Sequence, residues 1–119
     1  MDKQDAIRHE NERLMTLFKS AEQNRLDFIR DQVRQLAWLN VSVAELQEAI
    51  DRDGTMLGYN NGGGQTGVRV NPDVKTMTDY QKLINSIVRN LLPLVPSGSP
   101  KSGFTSALEG LLSELGEMR

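Results

Sequence analysis

Few side chains in this sequence can carry acid–base, nucleophilic or metal chemistry. His9 is the one histidine, and cysteine is absent. Any Ser-His-Asp or Cys-His set would have to be built on His9. That residue sits in a polar N-terminal stretch among Arg8, Glu10, Asn11 and Glu12, where an exposed bystander is expected. A zinc site would have to lean on carboxylates, an uncommon choice. Asp51 and Asp53 are near neighbours, but no ligand pattern surrounds them. The run Asn60-Asn61-Gly62-Gly63-Gly64 is rich in glycine. A phosphate-cradling loop, however, needs a Gly-Lys-Ser or Gly-Lys-Thr step opening a helix, and no such lysine follows. No catalytic residue, metal ligand or cofactor is therefore assigned, and the expected class is a non-enzymatic binding or assembly protein.

What remains is charge and apolar surface. The 119 residues carry 14 basic and 16 acidic side chains, a formal charge of −2. That balance argues against a strongly basic nucleic-acid module, but not against a local basic surface, because partners feel local fields. Aromatics are only 5%. A monomer of this size has a thin core, so burial between subunits is favoured. The absence of cysteine excludes disulfides. No apolar run approaches the roughly 20 residues of a membrane span, and the polar start Asp2-Lys3-Gln4-Asp5 does not read as a secretory signal.

These groups need elements to hold them. Residues 5–39 contain neither proline nor glycine, and Leu14, Leu17, Phe18, Ala21, Phe28, Ile29, Val33, Leu36 and Ala37 recur at helical steps. A long amphipathic first helix is expected, with Arg25 interrupting the stripe at a point that permits a bend. Its alternating charges include Arg25, Arg30 and Arg34, which either face a partner or form a solvated, ion-paired face. Ser42 precedes Glu45 by three, and Val41 and Leu46 flank it as a hydrophobic staple, so a short second helix is expected from Ser42 to Arg52, stopping at Asp53-Gly54. Two β-prone runs around the glycines predict a small β-hairpin. Asn71-Pro72-Asp73 is a start signal for a long third helix with an apolar stripe of Val74, Met77, Tyr80, Ile84, Ile87, Val88 and Leu91. Pro93 should end it, leaving Lys75, Lys82 and Arg89 exposed. Residues 93–103 read as a linker. A short C-terminal helix follows, with Leu108, Leu111, Leu112 and Leu115 on one face; so short a helix needs a dock, either on this protein or on a different one. The expected fold is mainly α, with residues 1–96 as the helical domain and 97–119 as linker and C-terminal helix.

The middle of the chain resembles the small subunit of phage terminases. The residues that carry the resemblance are Tyr59, Gly62-Gly63-Gly64, Gly67-Val68-Arg69-Val70, Asn71-Pro72, Lys75, Asp79, the spacing of Leu83, Ile84, Ile87 and Leu91, and Leu94-Val95-Pro96-Ser97. They cover roughly half of the sequence. The family's closing segment often carries an arginine after its proline and serine; here Gly98 follows Ser97, and no role is carried over for that arginine. No helix-turn-helix is evident near the N-terminus.

The resemblance implies a homo-oligomer, expected to be a ring, that recognises viral double-stranded DNA, delivers it to the terminase large subunit and modulates that subunit's activities without hydrolysing anything itself. It implies the cytoplasm of a bacterial host as the setting. On this reading Arg69, Lys75 and Lys82, with Arg25, Arg30 and Arg34, are the candidate DNA contacts. Leu108, Leu111, Leu112 and Leu115 are the candidate partner contacts. Two other classes stay open: a helical protein–protein adaptor, which would show no salt-sensitive DNA binding, and a DNA-binding transcriptional regulator, which would bind as a dimer to a short palindrome.

Overall fold

Three helices and one hairpin follow one another along residues 2–96, the part of the chain that the computed structural model describes. Helix α1 spans Lys3–Met15 and tightens into a 3-10 turn at Thr16–Phe18. Helix α2 spans Gln23–Asp53, strands β1 and β2 span Met56–Gly62 and Gln65–Val70, and helix α3 spans Pro72–Leu91, with a 3-10 turn at Leu92–Leu94. The chain is mainly helical, as expected. Residues 97–119 lie outside the described residues, and with them the expected linker, the C-terminal helix and its four leucines.

The order of elements matches the expectation, but the division between the first two helices does not. The chain turns at residues 19–22, and α2 then runs unbroken through Ser42 to Asp53. The second helix is therefore the long one. The turn has no proline or glycine; it is closed by the Ala21 N–H donating to the Phe18 carbonyl at 3.0 Å. Glu22 caps α2 with extended backbone but without a side-chain hydrogen bond. Tertiary packing supplies what local signals lack. Folding back at this point lays Leu14, Leu17 and Phe18 against Ile29, Val33, Leu36 and Ala37 in one core. A single rod over residues 5–39 would have left that stripe in water, at about 25 cal/mol per Å² of apolar area. Ser42 cannot act as a cap because it sits inside α2, 4% exposed, and Glu45 instead pairs with Lys3 across the interface at 2.9 Å.

That ion pair, the Asn40 Nδ2–Glu10 Oε2 hydrogen bond at 2.9 Å and the turn after Phe18 show α1 and α2 to be antiparallel. On the other side of α2, Tyr80 meets Trp38 edge-on at 5.5 Å between ring centroids, and Asn90 Nδ2 approaches Gln32 Oε1 at 3.5 Å. Thus α3 is also antiparallel to α2. Ile84, Ile87, Val88 and Leu91 of α3 complete the core.

Both ends of α3 behave as the sequence predicts. Asn71 caps it, accepting from the Asp73 N–H at 3.0 Å, and Pro72 occupies the first turn. Asn71 is only 2% exposed because it also ties the hairpin base: its Nδ2 donates to the Gly54 carbonyl and its N–H to the Thr55 carbonyl, each at 2.9 Å. At Gly54 the backbone turns to φ 87°, which ends α2 with a geometry only glycine takes up without strain. The hairpin pairs Met56 with Val70, Leu57 with Arg69 and Gly58 with Val68. Gly63 and Gly64 form its tip with φ 58° and 81°, the positive values that a tight two-residue turn demands.

Candidate nucleic-acid interface and partner surfaces

The six candidate DNA contacts do not form one cluster. Arg25, Arg30 and Arg34 lie on α2, all exposed. Steps of five and four residues turn a helix by about 140° and 40° net, so Arg30 and Arg34 share a side while Arg25 points elsewhere. Each is paired with the acid three residues before it: Arg25 with Glu22 at 3.7 Å, Arg30 with Asp27 at 3.7 Å and Arg34 with Asp31 at 2.5 Å. Asp31 also accepts from Gln35. These arginines thus form a charge-compensated face, with little net field for a polyanion to feel.

Helix α3 is organised differently. Lys75, Lys82 and Arg89 are seven residues apart, close to two full turns each, and so make one exposed line about 21 Å long. Lys75 spends part of its charge on Asp79, one turn on, at 2.8 Å. The same contact, a hydrogen bond from Lys75, holds the Asp79 carboxyl below its ordinary range. Among the described residues, Lys82 and Arg89 have neither a hydrogen bond nor an ion pair, although the Lys82 charge also helps to lower the Asp79 carboxyl. Arg69 is exposed on β2, three residues before α3 begins, and is likewise unpaired among the described residues. Arg69, Lys75 and Lys82 therefore follow one another from β2 into α3, with Lys75 and Lys82 on one edge of that helix. Arg89 extends that edge; its i+7 spacing from Lys82 is the sequence signal that marks it as a further member.

A second surface is apolar. The run Leu36-Ala37-Trp38-Leu39 occupies a whole turn of α2, more than one core-facing side can hide. Leu36, Ala37 and Leu39 are buried, and Trp38 is left 41% exposed. Lys3 Nζ stands 5.0 Å from the centroid of its ring, with Tyr80 at its edge. Its open side lines a groove of about 390 Å³ with Arg34, Gln35, Leu39 and Leu83. Leu83 is 52% and Phe28 47% exposed; Phe28 lies two turns before Gln35 on the same side of α2. On the hairpin, Met56, Val68 and Val70 share one face by their register and are all more than half exposed.

The polar residues near the N-terminus hold structure together. His9 is exposed and lines a shallow groove with Glu10, Arg13 and Asn40. Partial burial raises the Glu10 carboxyl, but hydrogen bonds from Arg13 and Asn40 and the Arg13 charge outweigh it, so the net shift is downward. Arg13 grips Glu10 through two nitrogens, at 2.6 and 3.0 Å. This triad clamps α1 to α2. Among the described residues, no group of three or more His, Cys, Asp or Glu side chains could hold a metal ion. Asp51 and Asp53 are exposed at the end of α2, where Gln47 and Arg52 respectively hydrogen-bond to them. Nor is any described helix long and apolar enough to cross a membrane.

Comparison of this chain with protein-family models, with curated proteins and with solved structures found no match.

Proposed function

We propose that this chain is a non-catalytic DNA-recognition subunit of a viral genome-packaging machine, of the terminase small-subunit kind, acting in a bacterial host's cytoplasm. The observation that supports it best is the exposed line Lys75–Lys82–Arg89 with Arg69 beyond its start, set on a rigid helix. Such a line would touch phosphates rather than base edges, so binding would be sequence-tolerant and salt-sensitive. The apolar residues left exposed on the helices and the hairpin suit a protein completed by neighbours, consistent with a homo-oligomer, expected to be a ring. Residues 106–116 would offer a leucine face to the terminase large subunit, exchanging a resting contact within this chain for that partner.

Light scattering at low and high salt, paired with binding to a double-stranded DNA fragment, tests this reading. A discrete, salt-resistant oligomer that binds DNA with steep salt dependence supports it. A monomer that ignores DNA at low salt overturns it. The latter result would favour a helical adaptor with protein partners only, a reading that draws on the compensated charges of Arg25, Arg30 and Arg34.

A further inference from the structure

We propose that the groove between α2 and α3 at Trp38 and Leu83 is the docking site of this chain's own residues 106–116, within the same protomer. The inference rests on apolar surface, reach and charge, and is independent of DNA binding.

The groove holds an apolar patch, Trp38 and Leu83 over Leu39, flanked by Arg34 and Gln35. Phe28, Trp38 and Leu83 are each 41% to 52% exposed, with the buried Leu39 at its floor. Phe28 lies about 15 Å from Trp38 along α2, on the same side as Gln35, with the polar Asp31, Gln32 and Gln35 between them. An eleven-residue helix is about 16 Å long. Leu108, Leu111, Leu112 and Leu115 follow the i, i+3, i+4, i+7 spacing that puts four apolar side chains on one side of such a helix. Such a helix is long enough to reach from the Trp38–Leu83 patch to Phe28, and a helix this short needs a surface to be stable.

The tether reaches. The described chain ends at Pro96, beside Ala21, Glu22 and Arg25, about one turn before Phe28 on α2. Nine residues, 97–105, span up to roughly 30 Å when extended. Arg25 to Trp38 is about 20 Å along α2. The segment can therefore enter at Phe28 and run toward Trp38 without strain in its linker. Being covalently attached, it competes well against free partners, because its effective concentration is high.

Charge agrees. Residues 106–117 carry Glu109, Glu114 and Glu117 and no lysine or arginine. Lys82 is the chain neighbour of the groove residue Leu83 and supplies the opposite charge; Arg34 lines the groove but is already paired with Asp31.

Trp38 is the single tryptophan, so its emission reports the groove directly in the full-length chain. The variant L111D/L112D should shift Trp38 emission to the red and raise its quenching by acrylamide. The far-ultraviolet signal of the helical bundle should be retained. A milder L111A/L112A variant should give a smaller shift in the same direction, and it decides the matter if the aspartate variant loses the bundle. Emission and quenching unchanged in both variants would overturn the proposal. Each measurement is repeated on dilution with the mass monitored. Protection that persists unchanged on dilution supports docking within one protomer. Protection lost together with a drop in mass assigns the segment to a second copy and overturns the assignment made here.

Discussion

Replacing Lys82 by glutamine separates the α3 edge from the α2 arginines as a DNA contact. If Arg69, Lys75, Lys82 and Arg89 each neutralise one phosphate, the affinity of one engaged subunit falls with log salt at a slope of about −3.6, near −0.9 per contact. Raising salt from about 50 to about 200 mM would then weaken binding roughly 150-fold, and removing Lys82 would lower the slope to about −2.7 and that factor to roughly 40-fold. Lys75→Gln should do less than Lys82→Gln, because Asp79 already takes part of the Lys75 charge at 2.8 Å. Arg30→Gln should leave the slope unchanged, since Arg30 has Asp27 beside it. Fluorescence anisotropy of a labelled duplex across a salt series reads all three variants. In a ring, the slopes scale with the number of subunits engaged, but the ranking does not change. A Lys82→Gln protein with the parental slope, alongside an Arg30→Gln protein with a reduced one, would refute the reasoning from charge compensation.

Three further outcomes follow from the packing. Phe18, 1% exposed at the α1–α2 turn, anchors the fold-back; Phe18→Ala should cost about 3–5 kcal/mol in urea unfolding, and a loss under 1 kcal/mol would contradict its place in the core. Ser42→Ala distinguishes a helix interior from a cap. A cap would lose about 1 kcal/mol, whereas the buried Ser42 hydroxyl has no hydrogen-bond partner among the described residues, so the alanine variant should be as stable as the parent or more so by thermal melt. The Glu10 carboxyl is held below its ordinary value of 4.5 in the fold, so its contribution is complete above that value and is lost as pH falls through the lowered folded value. Glu10→Gln should flatten the acid limb of the stability curve between neutral pH and pH 3, and an unchanged limb would contradict the Arg13–Glu10–Asn40 clamp.

Features whose signals are local could be read from the residues alone. The start of α3 was legible because Asn71, Pro72 and Asp73 each act within one turn of the cap, by hydrogen bond, fixed φ and charge. The end of α2 at Gly54 and the tip at Gly63-Gly64 were legible because their backbone angles admit glycine and strain other residues. Exposure of Lys75, Lys82 and Arg89 followed from their being off a strongly periodic apolar stripe. The turn after Phe18 was not legible. Its residues carry no strong breaker, and the gain that drives it comes from Ile29, Val33 and Leu36, which meet Leu14 and Phe18 only once the chain has folded back. The Ser42–Glu45 cap signal misled for the same reason: burial of Ile50 and continuity with Leu39 on one helix outweigh a cap bond of about 1 kcal/mol. That Trp38 and Leu83 from separate helices form one groove, and that Lys3 reaches Glu45 and Asn40 reaches Glu10 between helices, came only from the packing. Contacts between helices, and the grooves they leave, depend on which helix faces meet. That is settled by core packing across residues far apart in the chain, where no short spacing in the sequence records it.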